Sequence, residues 1–486
     1  MKTSVSSAAV VPSSASATAV VNRVSQRESI LAAQTALEQA FARRCPQSIL
    51  LHHRAKQLFP GGVTHDNRHL AGPSLFIRSA KGPAKFCQDN HRYIDYWMGH
   101  GSLLLGHGRH EVIEAVHLAA QDITHPGACH EREVLWGEQV LSMFREAKRI
   151  RFTAAGSDAT ALAVRLARAL TKKPVIVKFE GHFHGWMDHA VEGVDMPFDT
   201  PFSAGVPSAN RALTVVLPAR DLNKVEDVLI HRNDIAAIIL EPTGASGGTV
   251  PIRPDFLRGL RELTNRHGVL LIFDEVITGF RVAPGGAQQK FNVTADLTCL
   301  AKVLAGGLPG GAVCGTRDAF DAMEFSGDPK QDRYRRVVQY GTFNANPISA
   351  AAGKVALGLV ADGEASKRAD SFTSQLKAGL NSLFRHENLP WAAYGFSSVF
   401  HILTSDPCAG QSLRDHQIEA ADIDPPILKQ KGPVDALLRR ALQLEGVDLP
   451  PGRQAWVSCM HGTPELDETL LAFTRAIERL RGLGCV

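Results

Sequence analysis

The stretch Val269-Leu270-Leu271-Ile272-Phe273-Asp274-Glu275-Val276 decides the fold. A clean apolar run of strand length ends in two carboxylates. Around it the chain alternates. Apolar strands at Val175–Phe179 and Ala236–Leu240 are separated by helical stretches at Glu111–Gln121, Ala159–Leu170 and Asp255–His267. Strand and helix in alternation predict a parallel sheet covered by helices on both faces. Ligands of such sheets bind beyond the carboxyl ends of the strands. A carboxylate there can hold a cation, a metal or a protonated ring nitrogen. The plainer reading of Asp274 is a helix N-cap.

Three further segments carry chemistry. In Asp296-Leu297-Thr298-Cys299-Leu300-Ala301-Lys302, a lysine closes an apolar stretch before the glycine-rich turn Gly306–Gly311. Desolvation lowers a lysine's pKa and makes its amine nucleophilic, as Schiff-base formation requires. The plainer reading is a surface lysine snorkelling past apolar neighbours. In Arg151–Thr160, the small-residue turn Ala154-Ala155-Gly156-Ser157 opens a helix whose free N–H groups suit a phosphate, or simply a capping Ser157 or Asp158. In Gly181-His182-Phe183-His184-Gly185-Trp186, an aromatic between glycines can lie flat on a planar ligand. His182, His184, Asp188 and His189 also have metal-ligand chemistry, but they would not share one face of a strand, so no metal site is expected. Taken together, an aldehyde-binding lysine, a carboxylate for a pyridinium, a phosphate-holding helix start and a stacking aromatic are the parts needed to use pyridoxal 5′-phosphate (PLP).

Composition agrees with a large enzyme. The chain has 486 residues, 44% hydrophobic and 21% charged, enough for two or three domains with a sizeable core. Its 53 basic residues face 49 acidic ones, too even a balance for an obligate nucleic-acid binder. No apolar run reaches the length of a membrane span. The eight cysteines form no C-x-x-C pair and read as reduced thiols of a cytoplasmic protein. Residues 1–27 are rich in Ser, Ala, Val and Thr and carry no acidic residue, which suggests a disorder-prone tail or a transit peptide. Residues 28–58 read as helical up to Phe59-Pro60-Gly61-Gly62. Helical patterns recur at Ala350–Val360, Ser366–Phe384 and Pro464–Leu483. A strand region lies near Trp391–Leu403, and a loop spans Ser405–Gly432.

The motifs resemble the class III, fold-type I PLP-dependent aminotransferases, in the branch that contains glutamate-1-semialdehyde 2,1-aminomutase. The matching segments run in order from Phe59-Pro-Gly-Gly-Val63 through Arg151-Phe152, Gly156-Ser157, Lys178-Phe-Glu-Gly and Phe183-His-Gly185. They continue with Glu241-Pro242, Asp274-Glu-Val276, Gly279-Phe-Arg281, Lys302 and Gly341-Thr342-Phe343. The resemblance implies an α/β enzyme with a mostly parallel, seven-stranded-type sheet between helices and a smaller α+β domain. It places a flexible extension at 1–45, the small domain at 46–108 and 351–486, and the PLP-binding domain at 109–350. It implies that Lys302 binds PLP covalently and shuttles a proton, and that Asp274 keeps the pyridine nitrogen protonated. Phe183 and Val276 would face the two sides of the ring, with His184 and Glu241 close to the cofactor. Ala155, Gly156 and Ser157 would hold the phosphate, joined by Thr342 from a neighbouring subunit, which implies a homodimer with shared active sites. Arg68 sits where relatives grip a carboxylate, a task suited to a planar guanidinium.

The departures matter as much. The aminomutase's Asn-Ser-Pro-Val-Arg becomes Thr64-His65-Asp66-Asn67-Arg68, its Trp-Gly-Pro tryptophan becomes His100, and its acidic C-terminal segment becomes Pro450-Pro451-Gly452-Arg453-Gln454. His65, His100 and Arg453 therefore disfavour the mutase. The Gly99-His100-Gly101, Trp186, Leu297–Lys302 and Leu444–Asp448 segments look more like the stereo-inverting D-phenylglycine aminotransferases. The expectation is ping-pong transfer between a bulky, aromatic or D-configured amino acid and a 2-keto acid. Intramolecular amino transfer is the alternative.

Overall fold

A seven-stranded sheet runs through the centre of the computed structural model, which describes residues 14–451 and 454–486. Its spatial order is Arg149–Thr153, Gly311–Gly315, Leu297–Ala301, Leu270–Asp274, Ile235–Leu240, Val175–Phe179 and Thr214–Leu217. Gly311–Gly315 is antiparallel to both neighbours, and the remaining pairs are parallel. Every residue of Ile235–Leu240 is buried, because helices cover both faces of a parallel sheet and leave no solvent side.

The helix Gly156–Thr171 shows why the layers stay together. Ala159, Leu162, Ala163, Leu166 and Ala167 recur at helical spacing and are all buried. Leu162 and Leu166 each contribute roughly 1.5–3 kcal/mol by leaving water. A charge at Leu166, which is fully buried, would break this face. The helix ends at Lys172 in a left-handed cap.

The two ends of the chain build a second body. Ile77–Lys81, Ala84–Cys87 and Arg92–Asp95 form an antiparallel sheet, completed by Val447–Asp448, which pairs in parallel with Arg92–Asp95. A three-stranded sheet joins Ala392–Tyr394, Val399–Leu403 and Ala455–Trp456. The helix Pro347–Val360 crosses the boundary expected at residue 350.

Two expectations are corrected. Residues 28–45 are not a loose extension. They belong to the helix Ser14–Arg44 and its junction with Pro46–Leu58, and Ala33, Leu37, Phe41 and Cys45 are buried in the core. Glu38 pairs with Arg440 at 2.9 Å, and that guanidinium lies 3.9 Å above the Phe41 ring. The apolar i, i+4 spacing of these residues supplied the docking face. Of the tail expected at residues 1–27, residues 1–13 lie outside the described residues, and the rest belongs to the helix Ser14–Arg44. The loop Ser405–Gly432 also contains the helices Pro407–Arg414 and Pro425–Lys429. Each begins with a proline after an aspartate, and Asp406 caps the first by accepting the Ala409 N–H at 2.7 Å. No helix among the described residues is long and apolar enough to cross a membrane.

Candidate active site

Three neighbouring strands end at one place. Ile235–Leu240 delivers Glu241, Leu270–Asp274 delivers Asp274, and Leu297–Ala301 delivers Lys302. Lys302 adopts left-handed backbone (φ 54°), a strained conformation for a lysine at the start of a tight turn. Burial lowers its pKa to about 8. The carboxylates of Asp274 and Glu241 pull it upward, and the charge of Arg281 pushes it down again. The amine is thus far closer to its neutral, nucleophilic form than a surface lysine.

Asp274 is held on both oxygens. Oδ1 accepts the Val276 N–H at 3.1 Å, and Oδ2 meets His184 Nδ1 at 2.7 Å. Burial raises its pKa to about 7, against the lowering pull of the Val276 N–H and the charges of Lys302 and Lys178. A cation placed against this carboxyl would stabilise its ionised form. His184 is fully buried and held neutral by desolvation, and toward an ionised Asp274, which can only accept, its Nδ1 donates. Nε2 has no partner.

Glu241 does a different job. Oε1 accepts the N–H groups of Phe183 at 3.0 Å and Ser246 at 2.9 Å, and Oε2 accepts that of Gly247 at 2.8 Å. Its own N–H donates to His182 Nδ1 at 3.0 Å. Burial and the nearby Asp274 raise its pKa to about 7. The carboxyl ties the loop carrying Phe183 to the turn after its own strand. The Phe183 ring stays 46% exposed while its backbone is anchored, as a stacking platform requires.

The helix start lies under these loops. Ala155 precedes Gly156–Thr171 in extended backbone with no side-chain cap, so the first N–H groups await a partner. A Cβ on Gly156 would come within 3.1 Å of both Val276 methyls. Gly185 (φ 101°) passes so close that a Cβ would sit 3.0 Å from the Ser157 Cα, a position closed to any larger residue. Thr160 Oγ1 donates to the His184 carbonyl at 2.6 Å and fixes that approach. The residues present fit PLP: an uncapped helix start for phosphate, a buried carboxyl for the ring nitrogen, an anchored aromatic and a desolvated amine.

The outer wall is more open. The rings of His65 and His100 stack at 4.9 Å, and His100 meets Trp97 edge-on at 5.2 Å. Desolvation lowers the pKa of His100 to about 4, helped by the charges of His65, Arg68 and Lys302. Arg68 is exposed and donates to Thr64 Oγ1 at 3.2 Å. Its charge acts on both imidazoles. The ring of Trp456, which the sequence did not single out, has its centroid 6.0 Å from Lys302 Nζ, and its Nε1 is buried without a partner. A tryptophan in a two-residue strand gives no sequence signal beyond its size. Arg453 lies outside the described residues.

Thr342 is not brought to this site within one chain. It sits on an exposed turn beside Phe343. His182 and His184 turn to Glu241 and Asp274. Among the described residues the one group of metal-capable atoms is Cys45, Cys87 and Asp89.

The comparisons with known proteins agree with this geometry. A family model described as aminotransferase class-III matches residues 66–390. A glutamate-1-semialdehyde 2,1-aminomutase of Syntrophobacter fumaroxidans is 42% identical over 343 residues, covering 69% of this chain and 77% of its own. An omega-transaminase from Sphaerobacter thermophilus superposes with a TM-score of 0.79 at 30% identity, over 90% of this chain and 98% of its own. A transaminase with PLP bound gives a TM-score of 0.80 at 26% identity, over 91% and 99%.

Proposed function

The chain belongs to the class-III aminotransferase family, whose cofactor is PLP, and from that premise we propose that it moves an amino group between two separate molecules. The observation that carries this reading is the stacked His65–His100 pair, whose neutral imidazoles, with Trp97, form an aromatic wall. Such a wall suits a bulky or aromatic amino acid, with Arg68 at its edge as the carboxylate grip. An intramolecular aminomutase is the second reading. It is favoured by the 42% identity to a relative of that name.

Bound PLP supplies an electron-withdrawing ring that stabilises negative charge at the substrate's Cα. This chain's residues would do the rest. Lys302 would hold the cofactor through its amine and would take and return the proton at the substrate's Cα. Asp274, oriented by His184, would be ionised against the ring nitrogen and would keep that nitrogen protonated. Ala155, Gly156 and Ser157 hold the phosphate with backbone donors at the helix start. Phe183 and Val276 would pack on the two faces of the ring and exclude water from it.

A homodimer completes the reading. Thr342 would contact phosphate across the interface. The same stretch exposes Phe325, Tyr334, Tyr340 and Phe343, with Tyr340 92% accessible, an apolar face that a second copy would cover. Mixing subunits tests this. Lys302→Ala and Thr342→Ala homodimers are each impaired, yet a mixed dimer regains one intact site. No recovery on mixing would mean that the sites are not shared.

The first experiment on activity is a half-reaction. The PLP-loaded protein is mixed with single amino acids of both hands, aromatic and aliphatic, and with glutamate-1-semialdehyde. Bleaching of the cofactor band with release of a keto acid names the donor and its handedness. Isomerisation of the semialdehyde without a second acceptor would replace this reading with the mutase.

A further inference from the structure

The turn that presents His100 is built against its own backbone preference. Met98 (φ 40°), Gly99 (60°), His100 (57°) and Gly101 (87°) are four consecutive residues in left-handed conformation. L side chains avoid this region, so Met98 and His100 stay there only if the surroundings hold them.

Two clamps do so. At the entry, Asp95 Oδ1 accepts the Trp97 N–H at 2.9 Å, and Asp95 is itself fixed by Lys85 at 2.7 Å and His107 at 2.7 Å. At the exit stands Arg281. Its Nη2 donates to the Gly101 carbonyl at 2.7 Å, and its Nη1 donates to Ser398 Oγ and the Val457 carbonyl, both at 2.9 Å.

Arg281 is an unusual resident. It is fully buried, and its Nε has no partner. Every oxygen it meets is neutral, and no ion pair forms at it among the described residues. Burying an unpaired guanidinium is costly, and an apolar side chain would fill the space at less cost. What the guanidinium does, and an apolar group could not, is join three segments far apart in sequence. Two of them carry side chains of the site: Gly101 follows His100, and Val457 follows Trp456. The contact is close, because a Cβ on Gly101 would lie 2.6 Å from Trp456 Nε1.

We propose that Arg281 is a positioning residue that clamps the left-handed Met98–Gly101 turn onto Trp456 and thereby sets where His100 meets the substrate. The clamp itself is independent of the functional assignment. Its consequence for substrate rests on His100 lining the site, as proposed above.

The test uses Arg281→Met, Arg281→Lys and Ser398→Ala, each as apoprotein and as PLP-loaded dimer. Amide hydrogen exchange is read on peptides covering 97–103 and 455–459, with the central strand Ile235–Leu240 as the check on folding. Removal of the clamp in Arg281→Met is expected to speed exchange about tenfold or more in those two peptides while the central strand stays protected. Arg281→Lys keeps a charge but not the three-way fork, so its turn should also open. Ser398→Ala loses one of the three bonds and should give a smaller rise in the same peptides. The second readout is the pH dependence of Lys302 acylation in the apoprotein. The midpoint should climb when the charge is removed in Arg281→Met and stay near wild type in Arg281→Lys, which separates charge from clamp.

Wild-type exchange at 97–103 in folded Arg281 variants would overturn the proposal. Should Arg281→Met fail to fold, an unchanged turn in Ser398→Ala overturns it equally. A His100→Ala variant with unaltered KM would instead sink the assignment of His100 to the substrate site and leave the clamp standing.

Discussion

Glu241, Asp274 and Lys302 hang from the ends of three adjacent, fully paired strands, and each is buried or desolvated. Across the cleft, His65, His100 and Arg68 hang from turns with little regular structure, and two of the three are exposed. The difference teaches where each task can be placed. Proton transfer and charge stabilisation need fixed geometry and low dielectric, which strand ends under a helical layer supply. Substrate choice needs a surface that can be rebuilt without disturbing the sheet, and turns supply that.

Substitutions on the two sides should therefore differ in kind. Lys302→Ala should lower turnover by ~10⁴-fold or more while leaving the melting temperature near wild type. A variant that still turned over at the wild-type rate would remove the floor from the account altogether. Asp274→Asn comes next, with an expected loss of about 10²–10³-fold in kcat, because the amide cannot balance a ring cation. His100→Ala, on the wall, should instead raise KM about tenfold for the preferred amino acid with kcat changed by less than ~3-fold. Equal losses in kcat and kcat/KM at His100 would erase the distinction between floor and wall.

The smallest effect lies in the pH dependence of the apoprotein's stability. Asp274, Glu241 and Glu275 are all raised to about 7 by burial. Acids whose pKa is higher folded than unfolded bind protons more tightly in the native state. Their contribution is thus present at low pH and is lost as pH rises from about 4 through 7. Denaturation of apoprotein across that range should show this downward slope, and Asp274→Asn should flatten it. PLP, by placing a cation on Asp274, should weaken the slope as well.

Legibility in the sequence followed the same division. The strand Leu270–Asp274 and its carboxylate, the lysine after Leu297–Ala301 and the glycine-bracketed Phe183 were readable because local spacing dictates their geometry. A parallel sheet between helices followed from strand and helix alternating, and its seven strands were what the family resemblance implied. Trp456 and Arg281 acquire their places only through contacts between segments more than a hundred residues apart, which no local pattern encodes. His184 was legible as part of the glycine-bracketed segment, but its bond to Asp274 spans 90 residues and needed the fold. The N-terminal helix shows the opposite error. Residues 28–58 read as helical, yet the expected flexible extension ran to residue 45, although Ala33, Leu37 and Phe41 carry the spacing of a docking face.

The central claim is that nitrogen passes between molecules, and an isotope follows it directly. The PLP-loaded enzyme is given the amino donor found in the half-reaction, labelled with ¹⁵N, together with unlabelled 2-oxoglutarate, and the glutamate formed is weighed by mass spectrometry. ¹⁵N-glutamate is expected to accumulate in step with the keto acid of the donor. Unlabelled 2-oxoglutarate recovered intact, while glutamate-1-semialdehyde is isomerised with its own nitrogen retained, would contradict it.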